Sequence, residues 1–103
     1  MKKVNEINDE IFQAKSKKTI LFIHTPFCGT CHLARKMLET TEIMKKDCVF
    51  YEMNASLSPS FMQENKIHSV PCLLLIKDGE IADRVYAFES VTNIYNRISR
   101  CFP

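Results

Sequence analysis

The sequence lacks the features of membrane-spanning and secreted proteins. None of its apolar runs approaches the ~20 residues that a transmembrane helix requires. The start Met1-Lys2-Lys3 has the charge of a signal peptide, but acidic and amide residues between positions 5 and 10 exclude the apolar segment that must follow. We therefore expect a soluble protein that works in the cytoplasm.

A strong charge of either sign is also missing. The 14 Lys and Arg residues and the 12 Asp and Glu residues leave a formal net charge of only +2. Without a basic block, nucleic acid is not expected as a partner. The chain has 103 residues and no internal repeat, linker or low-complexity segment. The length suits one hydrophobic core, which predicts a single domain over residues 1–103.

The motif Cys28-Gly29-Thr30-Cys31 carries the most chemistry. It follows the apolar run Ile20–Ile23 and opens a helix-like stretch. The unpaired N–H groups and the macrodipole at a helix N-terminus stabilise an anion, so the thiolate of Cys28 is favoured there. Because the thiolate is the nucleophile, this placement favours dithiol–disulfide exchange.

Three cysteines lie outside the motif. The total of five cysteines is odd, and their spacing is not that of a secreted domain held together by disulfides. In a reducing compartment, a CxxC pair is expected to be redox-active or metal-binding rather than a structural disulfide. We expect Cys48, Cys72 and Cys101 to be packing residues, because free cysteine is among the most buried residue types. Cys72 directly follows Pro71 and is also a candidate for a redox or regulatory role.

The first half of the chain alternates helical and strand patterns. Helical spacing of Val4, Ile7, Ile11 and Phe12 predicts an amphipathic helix, and Thr19–His24 reads as a buried strand. A second helix begins near Gly29 and weakens near Thr40-Thr41, where β-branched residues cluster. Its predicted inner face consists of Leu33, Ala34, Met37 and Leu38. Cys48–Met53 then predicts a second strand.

The second half adds a helix, a hairpin and a closing helix. Ser58-Pro59 is a helix start that leads to Phe61, Met62 and Asn65. The Asp78-Gly79 turn joins a buried strand, Pro71–Lys77, to its antiparallel partner, Glu80–Tyr86. The closing helix carries an apolar stripe. Core candidates from the whole chain are phenylalanines and leucines: Phe22, Phe50, Phe61, Leu73 and Leu75. The order αβαβαββα predicts parallel strands joined by helical crossovers, followed by a hairpin.

This order, with the CxxC motif, Val70-Pro71 and the segment Leu73–Glu80, resembles the thioredoxin family over nearly the whole chain. The resemblance implies an α/β thioredoxin fold with a central mixed sheet flanked by helices. It also implies a cis Val70-Pro71 bond facing the CxxC motif, and a Val70 backbone that pairs with an extended substrate. The implied activity is reduction of protein disulfides by dithiol–disulfide exchange.

The resemblance also assigns roles to residues and partners. Cys28 and Cys31 would be the catalytic pair, and the substrate would contact Phe27, Gly29, Thr30, Val70 and Pro71. The implied partners are disulfide-containing proteins and an upstream electron donor, either a flavoprotein reductase or a low-molecular-weight thiol. We expect a monomer that holds no bound cofactor and no metal.

The chain departs from the family pattern at five positions. Phe27 replaces the usual tryptophan, Thr30 a proline, Phe22 a buried aspartate, Lys36 a kinking proline and Tyr86 a glycine. The family aspartate helps the second cysteine to exchange its proton. With no acid expected near Phe22, we predict slower proton transfer from Cys31.

Each of the three histidines is considered for a functional role and for an ordinary structural position. His24, two residues after Phe22, is either a modulator of the thiol pair, as proton acceptor or substrate contact, or a surface histidine at a strand end. His32 is expected on the surface of the first helical turn. His68 precedes Val70-Pro71 and either lines the binding groove or is an ordinary loop residue.

Other functions remain open at this stage. Cys28 to His32 also reads as CxxCH, the haem-attachment pattern. The cysteine pair could supply two of the roughly four ligands of a zinc or iron–sulfur site, and a dimer could supply four. A third reading is a redox-inactive module that binds extended peptides at the edge offered by Val70.

Overall fold

The computed structural model describes residues 1–4 and 18–103. The predicted first helix, with Ile7, Ile11 and Phe12, therefore lies outside the described residues. Its first member, Val4, belongs instead to a short strand, so the prediction was wrong at that residue. The strand pairs in parallel with a later strand and forms one edge of the sheet.

The described elements are five strands and three α-helices. In chain order they are β1 (Lys2–Val4), β2 (Lys18–His24), α1 (Gly29–Met44), β3 (Cys48–Asn54), a 3₁₀ turn (Ala55–Leu57), α2 (Pro59–Glu64), β4 (Cys72–Lys77), β5 (Glu80–Val85) and α3 (Val91–Cys101). None of these helices is long and apolar enough to cross a membrane.

The sheet is mixed, as predicted, with the strand order β1-β3-β2-β4-β5. β3 is parallel to β1 and β2, whereas β4 is antiparallel to both β2 and β5. The hairpin turns at Asp78-Gly79, where both residues have positive φ values, 53° and 82°. That conformation is the one the Asp-Gly signal favours. The predicted fold class is confirmed.

Alternate residues of the central strands build two cores. On one face, Ile20 and Phe22 of β2 pack with buried residues of α1 and α3. On the other face, Leu21 and Ile23 pack with Phe61, which lies on α2. Because both faces are covered, β2 and β4 are continuous apolar runs. The five predicted core residues are all buried: Phe22, Phe50, Phe61, Leu73 and Leu75.

Two local predictions about α1 were wrong. α1 does not weaken at Thr40-Thr41 but continues to Met44, because Thr41 is buried and tertiary packing outweighs its low helix propensity. The Thr41 hydroxyl donates to the Met37 carbonyl at 2.8 Å, so this buried polar group is satisfied. Leu33 is 58% exposed, so it does not share the inner face of Ala34 and Leu38. α2 begins at Pro59 with Ser58 as its N-cap residue, as predicted, although within the described residues the Ser58 side chain makes no capping hydrogen bond.

Candidate active site

The two motif cysteines meet at the start of α1. Cys28 is the N-cap residue, with extended backbone angles (φ −106°, ψ 109°), and its sulfur accepts a hydrogen bond from the Cys31 backbone N–H at 3.2 Å. The Thr30 hydroxyl lies 3.3 Å from the same sulfur. A sulfur atom thus occupies the place where a helix N-terminus stabilises negative charge.

The surroundings of the two thiols shift their pKa values in opposite directions. Hydrogen bonds from Cys31 and Thr30 lower the pKa of Cys28, which is partly exposed. Burial, with the hydrogen bond to Cys28, raises the pKa of Cys31 to about 11. Only 3% of Cys31 is exposed. One sulfur is therefore an accessible nucleophile, whereas the other is a protected thiol one helical turn away.

The loop before β4 faces the first turn of α1. The Val70-Pro71 peptide bond is cis, as predicted. Pro71 and Thr30 line a common groove of about 240 Å³. The remaining walls of this groove are Leu33, Ala34, Tyr86 and Phe88. The structure therefore brings together Thr30 and Pro71, two of the predicted substrate-binding residues.

The other predicted contacts lie around the motif. Phe27, in the turn before Cys28, is fully exposed. A Cβ added to Gly29 would meet no atom of the described residues within 4 Å, so packing does not demand glycine there. Val70 is partly buried and packs against both core clusters. Sequence reasoning did not assign Leu33 or Phe88 to the groove, because only the folded sheet brings them beside Pro71.

His24 is not a surface histidine. Its ring stacks on Phe22 with 5.3 Å between ring centroids, and its Nε2 lies 3.7 Å from Oε1 of Glu52. Burial, followed by the charge of Arg35, lowers the pKa of His24. His24 is therefore neutral at neutral pH. Whether it modulates the thiol pair stays a prediction.

Glu52 corrects the expectation that no acid lies near Phe22. Strand pairing sets Glu52 of β3 opposite Phe22 of β2, and Glu52 is only 7% exposed. The Arg35 guanidinium donates to Glu52 Oε2 at 2.6 Å. Burial is the largest influence and would raise the pKa of Glu52, but the hydrogen bond and the charge of Arg35, with the charges of His24 and the N-terminus, together outweigh it and the pKa is lowered. The acid is thus a paired carboxylate in the neighbouring strand.

The other histidines occupy exposed positions. His32 is exposed in the first turn of α1, as expected. His68 is also exposed, and its ring stacks on Tyr86 at 5.1 Å. Tyr86 in turn lines the groove. His68 therefore contacts a residue that lines the groove.

The three remaining cysteines pack, as predicted. Cys48 and Cys72 are buried, and Cys101 packs against the first core cluster. Burial raises the pKa of Cys72 to about 11, although the Tyr86 hydroxyl acts in the opposite direction. That hydroxyl is itself buried and makes no hydrogen bond of regular geometry within the described residues. A thiol this protected is a poor nucleophile near neutral pH.

A metal site would need ligands from elsewhere. In residues 1–4 and 18–103, no group of three or more His, Cys, Asp or Glu side chains is arranged to hold a metal ion. Cys28 and Cys31 supply two sulfurs, and the remaining ligands would have to come from outside the described residues.

Comparison with known proteins decides the family. The sequence model of the thioredoxin family matches residues 2–100. The chain belongs to the thioredoxin family. It is 41% identical over 97 residues to the thioredoxin-like protein YusE of Bacillus subtilis, covering 94% of this chain and 85% of that protein. It is 26% identical over 73 residues to a thioredoxin of Mycoplasmoides gallisepticum, covering 71% and 73% of the two chains.

Solved structures show the same thioredoxin fold. Plasmodium falciparum thioredoxin superposes with a TM-score of 0.86 at 18% identity, over 97% of this chain and 98% of that one. Mitochondrial thioredoxin 3 of Saccharomyces cerevisiae superposes with a TM-score of 0.83 at 19% identity, over 97% of this chain and 94% of that one. Family membership makes the chain a thiol–disulfide oxidoreductase in general terms, with the CxxC pair as its redox centre. Thioredoxin family members act on substrates that contain disulfides.

Proposed function

We propose that this thioredoxin-family protein reduces protein disulfides by dithiol–disulfide exchange, with Cys28 as the nucleophile and Cys31 as the resolving thiol. The observation that carries the proposal is the contrast between the two sulfurs. Cys28 is accessible and held by two hydrogen-bond donors at a helix N-terminus, whereas Cys31 is buried one turn later. A low-pKa attacking thiol beside a protected second thiol is the arrangement that the exchange requires.

The reaction balances in two steps. The Cys28 thiolate attacks one sulfur of the substrate disulfide, forms a mixed disulfide and releases the other sulfur as a thiolate. Cys31 then loses its proton and attacks Cys28, so that the Cys28–Cys31 bond forms and the substrate's second sulfur leaves. Each released thiolate takes up a proton from water. The cysteine pair is oxidised by two electrons, and the substrate disulfide is reduced by two.

The groove supports recognition of an extended polypeptide. Its walls combine Pro71 with apolar and aromatic side chains, and Phe27, which directly precedes Cys28, is fully exposed. Backbone groups of Val70 would pair with the substrate chain, as the family resemblance implies. Gly29 and Thr30 would lie under the substrate at the start of α1.

The cycle needs a source of electrons. A flavoprotein reductase or a low-molecular-weight thiol would reduce the Cys28–Cys31 disulfide again, and the protein itself would carry no cofactor. Both donors belong to a reducing compartment, which supports a cytoplasmic location for this role. We further propose that the protein acts as a monomer, because the pair and the groove are complete within one chain.

Trapping the mixed disulfide tests the mechanism. Cys31→Ser keeps the backbone N–H that donates to Cys28 but removes the resolving sulfur. This variant should accumulate a covalent adduct with a disulfide-bonded protein, seen as a dithiothreitol-sensitive mass shift on intact-protein mass spectrometry.

The matched control is Cys101→Ser, which alters a cysteine at the far end of α3. It should turn over without trapping substrate. If Cys31→Ser forms no adduct while it remains folded, Cys28 does not attack protein disulfides and the proposal fails.

A further inference from the structure

A cluster of buried and partly buried charges lies around Phe22, which shares a buried core cluster with Cys31. Glu52 sits at its centre, with Arg35 at 2.6 Å and His24 at 3.7 Å. The cluster opens into a cavity of about 420 Å³, which Lys3 and Asn54 also line. Burying a carboxylate costs free energy unless it is paired. The exchange steps described above assign no role to this cluster.

Phe22 connects the cluster to Cys31. Phe22 and Cys31 belong to the same buried core cluster. The Arg35 guanidinium carbon lies 5.5 Å from the centre of the Phe22 ring, and His24 stacks on the same ring. Arg35 also follows Cys31 by four residues in α1, so both side chains project from one face of the helix.

We propose that Glu52 is a positioning residue of the resolving step: it holds the Arg35 guanidinium beside Cys31, where the positive charge stabilises the thiolate that attacks Cys28. The inference rests on the proposed exchange mechanism. It concerns only the second step, because the first step uses the thiolate of Cys28, which hydrogen bonds from Cys31 and Thr30 stabilise.

Electrostatics agree with this geometry. Burial raises the pKa of Cys31, and the charge of Arg35 acts against that increase. The charged and titratable side chains that face Arg35 come from three strands: Glu52 of β3, His24 of β2 and Lys3 of β1. Between about pH 7.5 and 9, His24 is neutral because its pKa is lowered, and Glu52 is ionised. In that range Glu52 can anchor Arg35 without competition from a charged imidazole.

The two steps can be timed separately with dipyridyl disulfide, a small neutral substrate. Attack by Cys28 releases one thiopyridone, and resolution by Cys31 releases the second. The measurement is stopped-flow absorbance on reduced protein in which Cys48, Cys72 and Cys101 are replaced by alanine. The first release serves as the internal reference for every variant.

Arg35→Gln should slow the second release about two- to five-fold and leave the first release unchanged. The loss of the cation raises the pKa of Cys31 and lowers its thiolate fraction, while a higher intrinsic nucleophilicity offsets part of the loss. The ratio of the wild-type to the Arg35→Gln rate of second release should stay constant from pH 7.5 to 9, because Cys31 remains mostly a thiol in that range. Arg35→Lys should restore most of the rate. The matched control is Lys36→Gln, which removes an exposed cation from the same helix.

Glu52→Gln separates an anchor from a direct charge effect. If Glu52 acts by holding Arg35, its loss slows the second release, and the double variant with Arg35→Gln is no slower than Arg35→Gln alone. If Glu52 acts by its own negative charge on Cys31, its loss accelerates the second release and the inference is overturned.

Failure of the inference and failure of the proposed function give different results. Equal second-release rates in wild type and Arg35→Gln, with a normal first release, overturn the inference alone. The absence of the first release in the wild type contradicts the proposed function itself. Should Glu52→Gln fail to fold, Arg35→Gln and Arg35→Lys still keep the inference falsifiable: a second release that is unchanged in Arg35→Gln, or that Arg35→Lys does not restore, overturns it.

Discussion

Replacing Cys28 with serine is expected to abolish protein-disulfide reduction and to leave only the slow background reaction of the electron donor. A serine hydroxyl cannot form a mixed disulfide, so the first step of the exchange is lost. The variant should stay folded, because serine is a good N-cap residue and would accept the same hydrogen bond from the Cys31 backbone N–H. The measurement is turnover of a disulfide-bonded protein with a thiol electron donor.

The matched control is again Cys101→Ser, which should retain wild-type turnover. The pH dependence of the wild type provides a second check on Cys28. Since the thiolate is the attacking species and the pKa of Cys28 is lowered, the first-step rate should rise with pH and level off at a lower pH than for an ordinary free thiol. A Cys28→Ser variant with substantial turnover would show that another cysteine attacks the substrate.

Replacing Phe22 with alanine is expected to lower the free energy of unfolding by about 3–5 kcal/mol, the range for truncating a large buried aromatic residue. Phe22 has no exposed surface, and its ring contacts His24, Phe88 and the Arg35 guanidinium. Chemical denaturation, with equal slopes for the two proteins, measures the change.

Phe27→Ala is the matched control for the stability prediction. It makes the same substitution five residues later at a fully exposed position, so it should change the free energy of unfolding by no more than about 0.5 kcal/mol. A loss of several kcal/mol at Phe27, or a loss below about 1 kcal/mol at Phe22, would contradict the described core.

Most of the fold could be predicted because its signals are local. The apolar runs of β2 and β4, the Asp78-Gly79 turn and the CxxC motif at the start of α1 each depend on a few adjacent residues. The edge strand Lys2–Val4 was not predicted, because three residues are too few to show the alternation of apolar and polar side chains that identifies a strand. The length of α1 depended on the packing of the buried Thr41, which β-branching alone does not reveal.

The candidate site could be predicted only in part. Motif spacing identified Cys28 and Cys31, and resemblance identified Pro71. The side chains of Glu52 and Arg35 meet because β3 pairs with β2 in one register and α1 crosses above them. Residues 17 positions apart in sequence give no local signal for such a contact. Leu33 was placed on the wrong face because apolar spacing cannot distinguish a core stripe from the wall of a groove.

The reduction potential of the Cys28–Cys31 couple tests the central claim most directly. It is measured by equilibration with glutathione, in a variant whose Cys48, Cys72 and Cys101 are replaced by alanine so that only one pair can oxidise. We expect a reversible two-electron couple with a potential of about −270 mV, as for a reductant. A potential of about −180 mV or higher, typical of an isomerase or oxidant, or the absence of a reversible couple, would contradict it.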